Sequence, residues 1–142
     1  MPFAEFDLGK NLVVSADLDS DLVRFLAELA ERRGITAAAF TAIGALKCAK
    51  LGFYDQEKRE YQKITIGSPC EMASCIGNIS TKNGKPFVHV HAVLANKDGN
   101  TKAGHLLEGV IFVAEIHLRE LKGSRLERKH NETTNLSLWD MK

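Results

Sequence analysis

The 142-residue chain is short of proline (3), of aromatic side chains (7%) and above all of net charge: 19 Lys and Arg balance 18 Asp and Glu, for a formal +1. Few prolines and 11 glycines exclude a collagenous or low-complexity chain. A charge near zero removes the electrostatic footprint of a free-standing nucleic-acid binder. No run approaches the roughly 18 apolar residues of a membrane span. The opening Met1-Pro2-Phe3-Ala4-Glu5-Phe6-Asp7 has neither a basic n-region nor an apolar h-region, so no secretory signal is expected and a cytoplasmic location is. The cysteines are an odd set, Cys48, Cys70 and Cys75, without Cys-x-x-Cys spacing. They read as reduced, buried small residues, not a disulfide framework or a zinc knuckle. There is no glycine-rich phosphate loop, no serine elbow and no Cys/His pair in a catalytic context.

What is present is 44% hydrophobic residues, enough for one core, and the chain reads as a single domain over residues 1–142. One helix is expected from Ser20 to Arg33. Leu22, Phe25, Leu26, Leu29 and Ala30 recur at helical spacing, with Asp19 as N-cap, Asp21 in the first turn and Gly34 at the C-terminal stop. The remainder is strand-like: Ile35–Gly44, Ala45–Tyr54, Glu60–Ile66, Cys70–Thr81, Pro86–Leu94, Thr101–Leu107 and Val110–Leu121. Short turns such as Asp55–Lys58 and Asn83-Gly84 join neighbours, which implies mostly antiparallel pairing. The class is α+β, a largely antiparallel sheet with one main helix packed on it. The polar tail from Gly123 ends in Leu136-Ser137-Leu138-Trp139, which is positioned to return to the body.

The chemistry-bearing stretch is Phe87-Val88-His89-Val90-His91, followed by His105. Strand alternation puts Phe87, His89, His91 and Val93 on one face. A three-residue loop at Lys97-Asp98-Gly99, with Gly99 in the left-handed position, would pair Asn96 with Asn100 and His91 with His105. Gly104 leaves room for a close backbone approach. Three imidazoles on one sheet face suit a zinc site with an open fourth position for water or a small ligand. A hydrogen-bonded histidine patch lining a pocket is the alternative.

The other candidates are less well placed. His117 alternates with Glu115 and Arg119 on a solvated or interface face, opposite Phe112, Ala114, Ile116 and Leu118, and so on another face from the triad. His130 is expected to be exposed. Glu108 falls opposite His105 on a straight strand, and reaches it only if the chain bends or a neighbouring subunit supplies it. Lys122, Arg125, Arg128 and Lys129 form the best nucleic-acid patch. Glu127 interrupts it and no stacking platform accompanies it, so a solvated surface strand explains it.

Taken together, the helix ending Arg32-Arg33-Gly34-Ile35, then Ala42-Ile43-Gly44-Ala45-Leu46, Gly67-Ser68-Pro69-Cys70-Glu71, Gly77-Asn78-Ile79, His89-Val90-His91 and Gly104-His105-Leu106-Leu107-Glu108-Gly109 resemble the plants and prokaryotes conserved (PPC) domain. The resemblance implies a homotrimer, with His89, His91 and His105 matching three histidines that hold a metal in some prokaryotic members. It also implies a fold group similar to acetolactate decarboxylase. The Arg-Gly-Arg-Pro hook of the plant proteins, which enters the A·T minor groove, does not occur here. Nucleic-acid binding is therefore expected to be at most weak, salt-sensitive and sequence-independent. Two functions follow: a metal-binding oligomeric module, regulatory or DNA-associated, or a zinc-dependent hydrolase or lyase acting on a small carbonyl substrate. The second needs a general acid or base, for which Glu71, Glu108 and Cys48 are the candidates.

Overall fold

The computed structural model describes residues 2–141. Eight strands and one helix follow in the order β1 (Phe6–Ser15), α1 (Leu22–Arg33), β2 (Ala38–Asp55), β3 (Glu60–Ile66), β4 (Cys70–Lys82), β5 (Lys85–Ala95), β6 (Thr101–Gly123), β7 (Arg128–Asn131) and β8 (Leu136–Trp139). All the strand-to-strand ladders are antiparallel, as the short turns predict. The six-stranded sheet runs β1-β6-β5-β4-β2-β3, and β6 also pairs with β2. Pairing β2–β4–β5–β6 and back to β2 therefore closes a ring around the core.

The helix forms where its apolar stripe lies and starts two residues later than expected. Its N-cap is Asp21, whose Oδ1 accepts from the Arg24 N–H at 2.9 Å, so Asp19 does not cap it. Asp19 instead adopts a left-handed φ of 67° and pairs with Lys47. The other Asp21 oxygen accepts from the Gly109 N–H at 2.8 Å, tying the helix start to β6. Leu22, Leu26 and Ala30 are fully buried against the sheet, and Gly34 ends the helix at φ 66°.

The strand expected from Ile35 and continued through Tyr54 is one 18-residue strand, β2, that starts at Ala38, and the break expected between Thr101–Leu107 and Val110–Leu121 is a bend within one 23-residue strand, β6. Register shifts at Ala45/Leu46, Leu46/Cys48 and Lys50/Leu51 in the β2–β6 ladder absorb what looked like turns. Bulges of this kind bend a strand without ending it. The same irregularity moves Phe112 out of the buried set: Ala114, Ile116 and Leu118 are core, while Phe112 is exposed. Strand β1 was not expected, because a register shift between Leu8 and Asn11 breaks its alternation.

Between β5 and β6 the loop is as expected. Ala95 pairs with Thr101, the Asn96 N–H donates to the Asn100 carbonyl, Gly99 has φ 77°, and His91 stands opposite His105. The tail does return. β7 and β8 form a hairpin docked by the Tyr54 hydroxyl, which donates to the Thr134 carbonyl, and by Thr81, whose N–H donates to the Leu126 carbonyl at 2.9 Å.

Gly104 is where strand crossing and site meet. A Cβ there would lie 2.8 Å from the Gly52 carbonyl oxygen, a backbone atom that cannot swing aside. Gly104→Ala should therefore cost about 1–3 kcal/mol of stability through overpacking, read as a lower urea midpoint at fixed protein concentration. An unchanged midpoint would mean that β2 and β6 are not in van der Waals contact at this crossing.

Candidate metal centre

The three histidines come from two adjacent strands. On β5, Val88, Val90, Ala92 and Leu94 turn into the core, which forces His89 and His91 to the outer face. The β5–β6 register adds His105 directly across from His91. The ring centroids lie 5.3 Å apart for His89–His91, 5.2 Å for His89–His105 and 5.7 Å for His91–His105. One nitrogen from each ring falls within 4.8 Å of the others. Tetrahedral zinc holds such nitrogens about 3–4 Å from one another.

The environment favours the neutral imidazoles that a metal needs. Burial holds His105 down to about 4, helped by His89, His91 and Arg128. Burial and then Arg128 and His91 also lower His89. His105 Nδ1 is buried and has no hydrogen-bond partner among the described residues. Three imidazoles with one uncommitted buried nitrogen form a donor set that fits a divalent ion.

The remaining sequence candidates lie elsewhere. His117 is exposed and outside the cluster, but it does not occupy another face. The pairings Val13–His117, His117–Thr41, Thr41–Ile76 and Ile76–His91 put it in the same outer row as His91. It is removed by three strand spacings, about 14 Å. His130 is exposed, as expected. Glu108 is exposed and paired to Lys50 at 2.8 Å, Glu71 is exposed on β4, and Cys48 is half-buried on β2; none of the three lines the cleft beside the histidines. Cys70 and Cys75 are buried free thiols, with Cys75 pushed up to about 12 by burial, so they are not metal ligands in waiting.

In the basic cluster Lys122, Arg125 and Lys129 are exposed, as expected, and Arg128 is the exception. Lys129 pairs with Asp140 at 2.6 Å. Arg128 is not solvated: it is 7% exposed. Its Nε donates to Ser80 Oγ at 2.7 Å, Nη1 to the Ser137 carbonyl at 2.9 Å and Nη2 to Asn78 Oδ1 at 2.9 Å. Its guanidinium lies 4.9 Å from the Phe87 ring centroid and 5.3 Å from that of Trp139. It is one wall of a cleft of about 260 Å³ that opens on His89 and His105. Tyr61, 5.1 Å from the His105 ring, Lys82, Asn135 and Ser137 add to the polar lining. Nothing in the spacing of Arg128 could have shown this, because only the hairpin return carries it to β4 and β5.

The profile of the Plants and Prokaryotes Conserved (PCC) domain matches residues 4–122. The chain belongs to this family. A metal-containing protein of Archaeoglobus fulgidus is 43% identical, with 98% of this chain and 99% of that chain covered and a TM-score of 0.94. A plant- and prokaryote-conserved protein of Pyrococcus horikoshii is 40% identical over 99% and 97% of the two chains, also at 0.94. A candidate DNA-binding protein of Bacteroides thetaiotaomicron is 25% identical over 97% and 99%, at 0.86. A Staphylococcus aureus protein similar to α-acetolactate decarboxylase shares the fold alone, at 10% identity and a TM-score of 0.52 over 81% and 53%. No curated protein matches the chain. No described helix of this PPC-family protein is long and apolar enough to cross a membrane.

The depressed histidines give a pH dependence with a definite sign. Unfolded imidazoles bind protons near pH 6.5, whereas folded His105 does so only near 4. Between those values the unfolded chain holds more protons, so stability is full above about 6.5 and falls as pH drops toward 4. Metal-free protein should show a lower urea midpoint at pH 5.5 than at pH 7, and His105→Gln should flatten that difference. Equal midpoints for the unsubstituted protein at the two pH values would show that the ring is not desolvated.

Proposed function

We propose that this protein is a homotrimeric, cytoplasmic metal-binding module in which His89, His91 and His105 hold one divalent ion. Zinc fits the donor set, and a fourth position is left to water or a small ligand. The observation that carries this reading is the convergence of three ring nitrogens within 4.8 Å on two hydrogen-bonded strands. The unpartnered, buried His105 Nδ1 supports it, as does the description of the Archaeoglobus relative as metal-containing. Neutral imidazole is the binding form, so affinity falls as pH drops through the histidine range.

The same seam can serve a zinc-dependent hydrolase or lyase, since a cleft opens on the triad and bound zinc polarises a carbonyl or lowers the pKa of water to about 7. That reading wants a general acid or base in the cleft, and Glu71, Glu108 and Cys48 all lie outside its lining. Binding is therefore the favoured function.

The trimer is supported by what the sheet leaves uncovered. Val13, Ile43 and Ile76 are 79%, 57% and 62% exposed on the outer face, and Phe112 and Val113 add apolar surface on β6. Several large apolar side chains exposed on one sheet face support an interaction surface there. Nucleic acid has no comparable footprint: the charge is near zero and Arg128 is buried. Association with DNA is thus of the weak, salt-sensitive kind.

Calorimetric titration of zinc into chelator-stripped protein should give one ion per chain. His91→Ala should weaken binding by about 100-fold or more, because two ligands remain of three, while His117→Ala should stay within about twofold. Equal losses for the two variants would overturn the ligand assignment. Light scattering at physiological salt should return three times the 15.7 kDa chain mass, with or without a DNA duplex. A monomer mass would remove the trimer, and a stable DNA complex would remove the weak-binding reading.

A further inference from the structure

Arg128 carries a charge that no ion pair among the described residues neutralises. Among the described residues no carboxylate forms an ion pair with it, and its three hydrogen bonds all go to neutral oxygens. A buried, uncompensated guanidinium is costly, and its surroundings add to the cost. Lys82 lines the same cleft, as do His89 and His105 of the triad, where the proposed metal would place further positive charge. The cleft is thus a concentration of cationic and hydrogen-bond-donating groups with no carboxylate among its lining residues.

The geometry points to a small organic carboxylate as the ligand of this cleft, held by Arg128 and turned toward the histidine triad. A guanidinium has five N–H donors. Three are committed, and the two that remain match the two oxygens of one carboxylate. Phe87, Leu136 and Leu138 supply an apolar wall for the body of such a molecule. A phosphate would set its additional oxygens against that wall. At ~30 Å³ per water molecule, 260 Å³ admits roughly nine waters, or a ligand of similar atom count. The inference deepens the metal-binding reading and rests on it only for the ion's share of the attraction; the Arg128 contact stands without it.

The guanidinium lies 5.3 Å from the ring of Trp139, the chain's single tryptophan, which makes binding visible as a fluorescence change. Benzoate, its neutral isostere benzamide and inorganic phosphate are the probes, titrated into chelator-stripped full-length protein. Benzoate should saturate in the millimolar range or tighter, with benzamide and phosphate at least tenfold weaker. Arg128→Gln should weaken benzoate at least tenfold. Because Arg128 also pins the hairpin, Lys82→Ala provides a variant without hydrogen bonds to lose, and it should weaken benzoate two- to fivefold. No saturation with benzoate, equal binding of benzamide or phosphate, or unchanged affinity in folded Arg128→Gln would each overturn the proposal. Added zinc should tighten benzoate binding in the unsubstituted protein and not in His91→Ala. Loss of that linkage with metal-free benzoate binding intact would sink the metal reading and leave the carboxylate site standing. The reverse pattern, zinc bound and benzoate not, would sink the carboxylate site alone.

Discussion

Strand β6 has to hydrogen-bond to β5 at one end and to β1 and β2 along the rest, and it can do so only by bending. Its first five residues belong to the β5 ladder, and from His105 onward it lies against β2. Register shifts in the β2–β6 ladder make the turn, and Asp21 holds the bent segment by accepting from the Gly109 N–H. His105 sits at the hand-over, paired with His91 on one side and Gly52 on the other. A one-residue slip of this ladder would turn His105 inward and Leu106 outward. The fully buried Leu106 therefore fixes which way His105 faces.

The site inherits its electrostatics from the same seam. Half-buried imidazoles resist protonation because the charged form loses water, and Arg128 reinforces the effect through repulsion. The guanidinium is itself desolvated, with its basicity lowered by burial. What keeps it in place is directional: three hydrogen bonds to Ser80, Asn78 and Ser137, and aromatic rings of Phe87 and Trp139 near it. The two demands reinforce one another. A group that discourages protonated histidine leaves the imidazole nitrogens unprotonated, and its own charge gives the cleft beside them a positive character.

Much of the centre was legible because it is local. Period-two alternation across His89 and His91, together with one tight turn at Gly99, sets the register from spacing alone, and that register is the one observed. The helix stripe was legible for the same reason, its cap less so, since Asp19 and Asp21 are both good N-caps by composition. Long-range bends were not. Glu108-Gly109 reads as punctuation in a linear sequence, yet the strand continues through it because helix α1 supplies a partner for the Gly109 N–H. The burial of Arg128 was illegible for a related reason. A basic residue among basic neighbours looks solvated until Ser80, Asn78 and two aromatic rings are brought to it from distant parts of the chain.

The matched profile spans residues 4–122 and contains all three histidines. Arg128 and the Asn135–Leu138 side of the cleft lie beyond it, on the β7–β8 hairpin. The imidazoles are held by sheet register, which cannot drift without turning core residues outward. The hairpin is held to the body by side chains and a few backbone bonds, among them Tyr54 to Thr134, Thr81 to Leu126 and Arg128 to Ser80. Such contacts can change one residue at a time while the ladder beneath them stays in register. The position of the histidine triad thus follows from the fold, whereas the cleft beside it is shaped by a short appended hairpin and the buried Arg128 it carries.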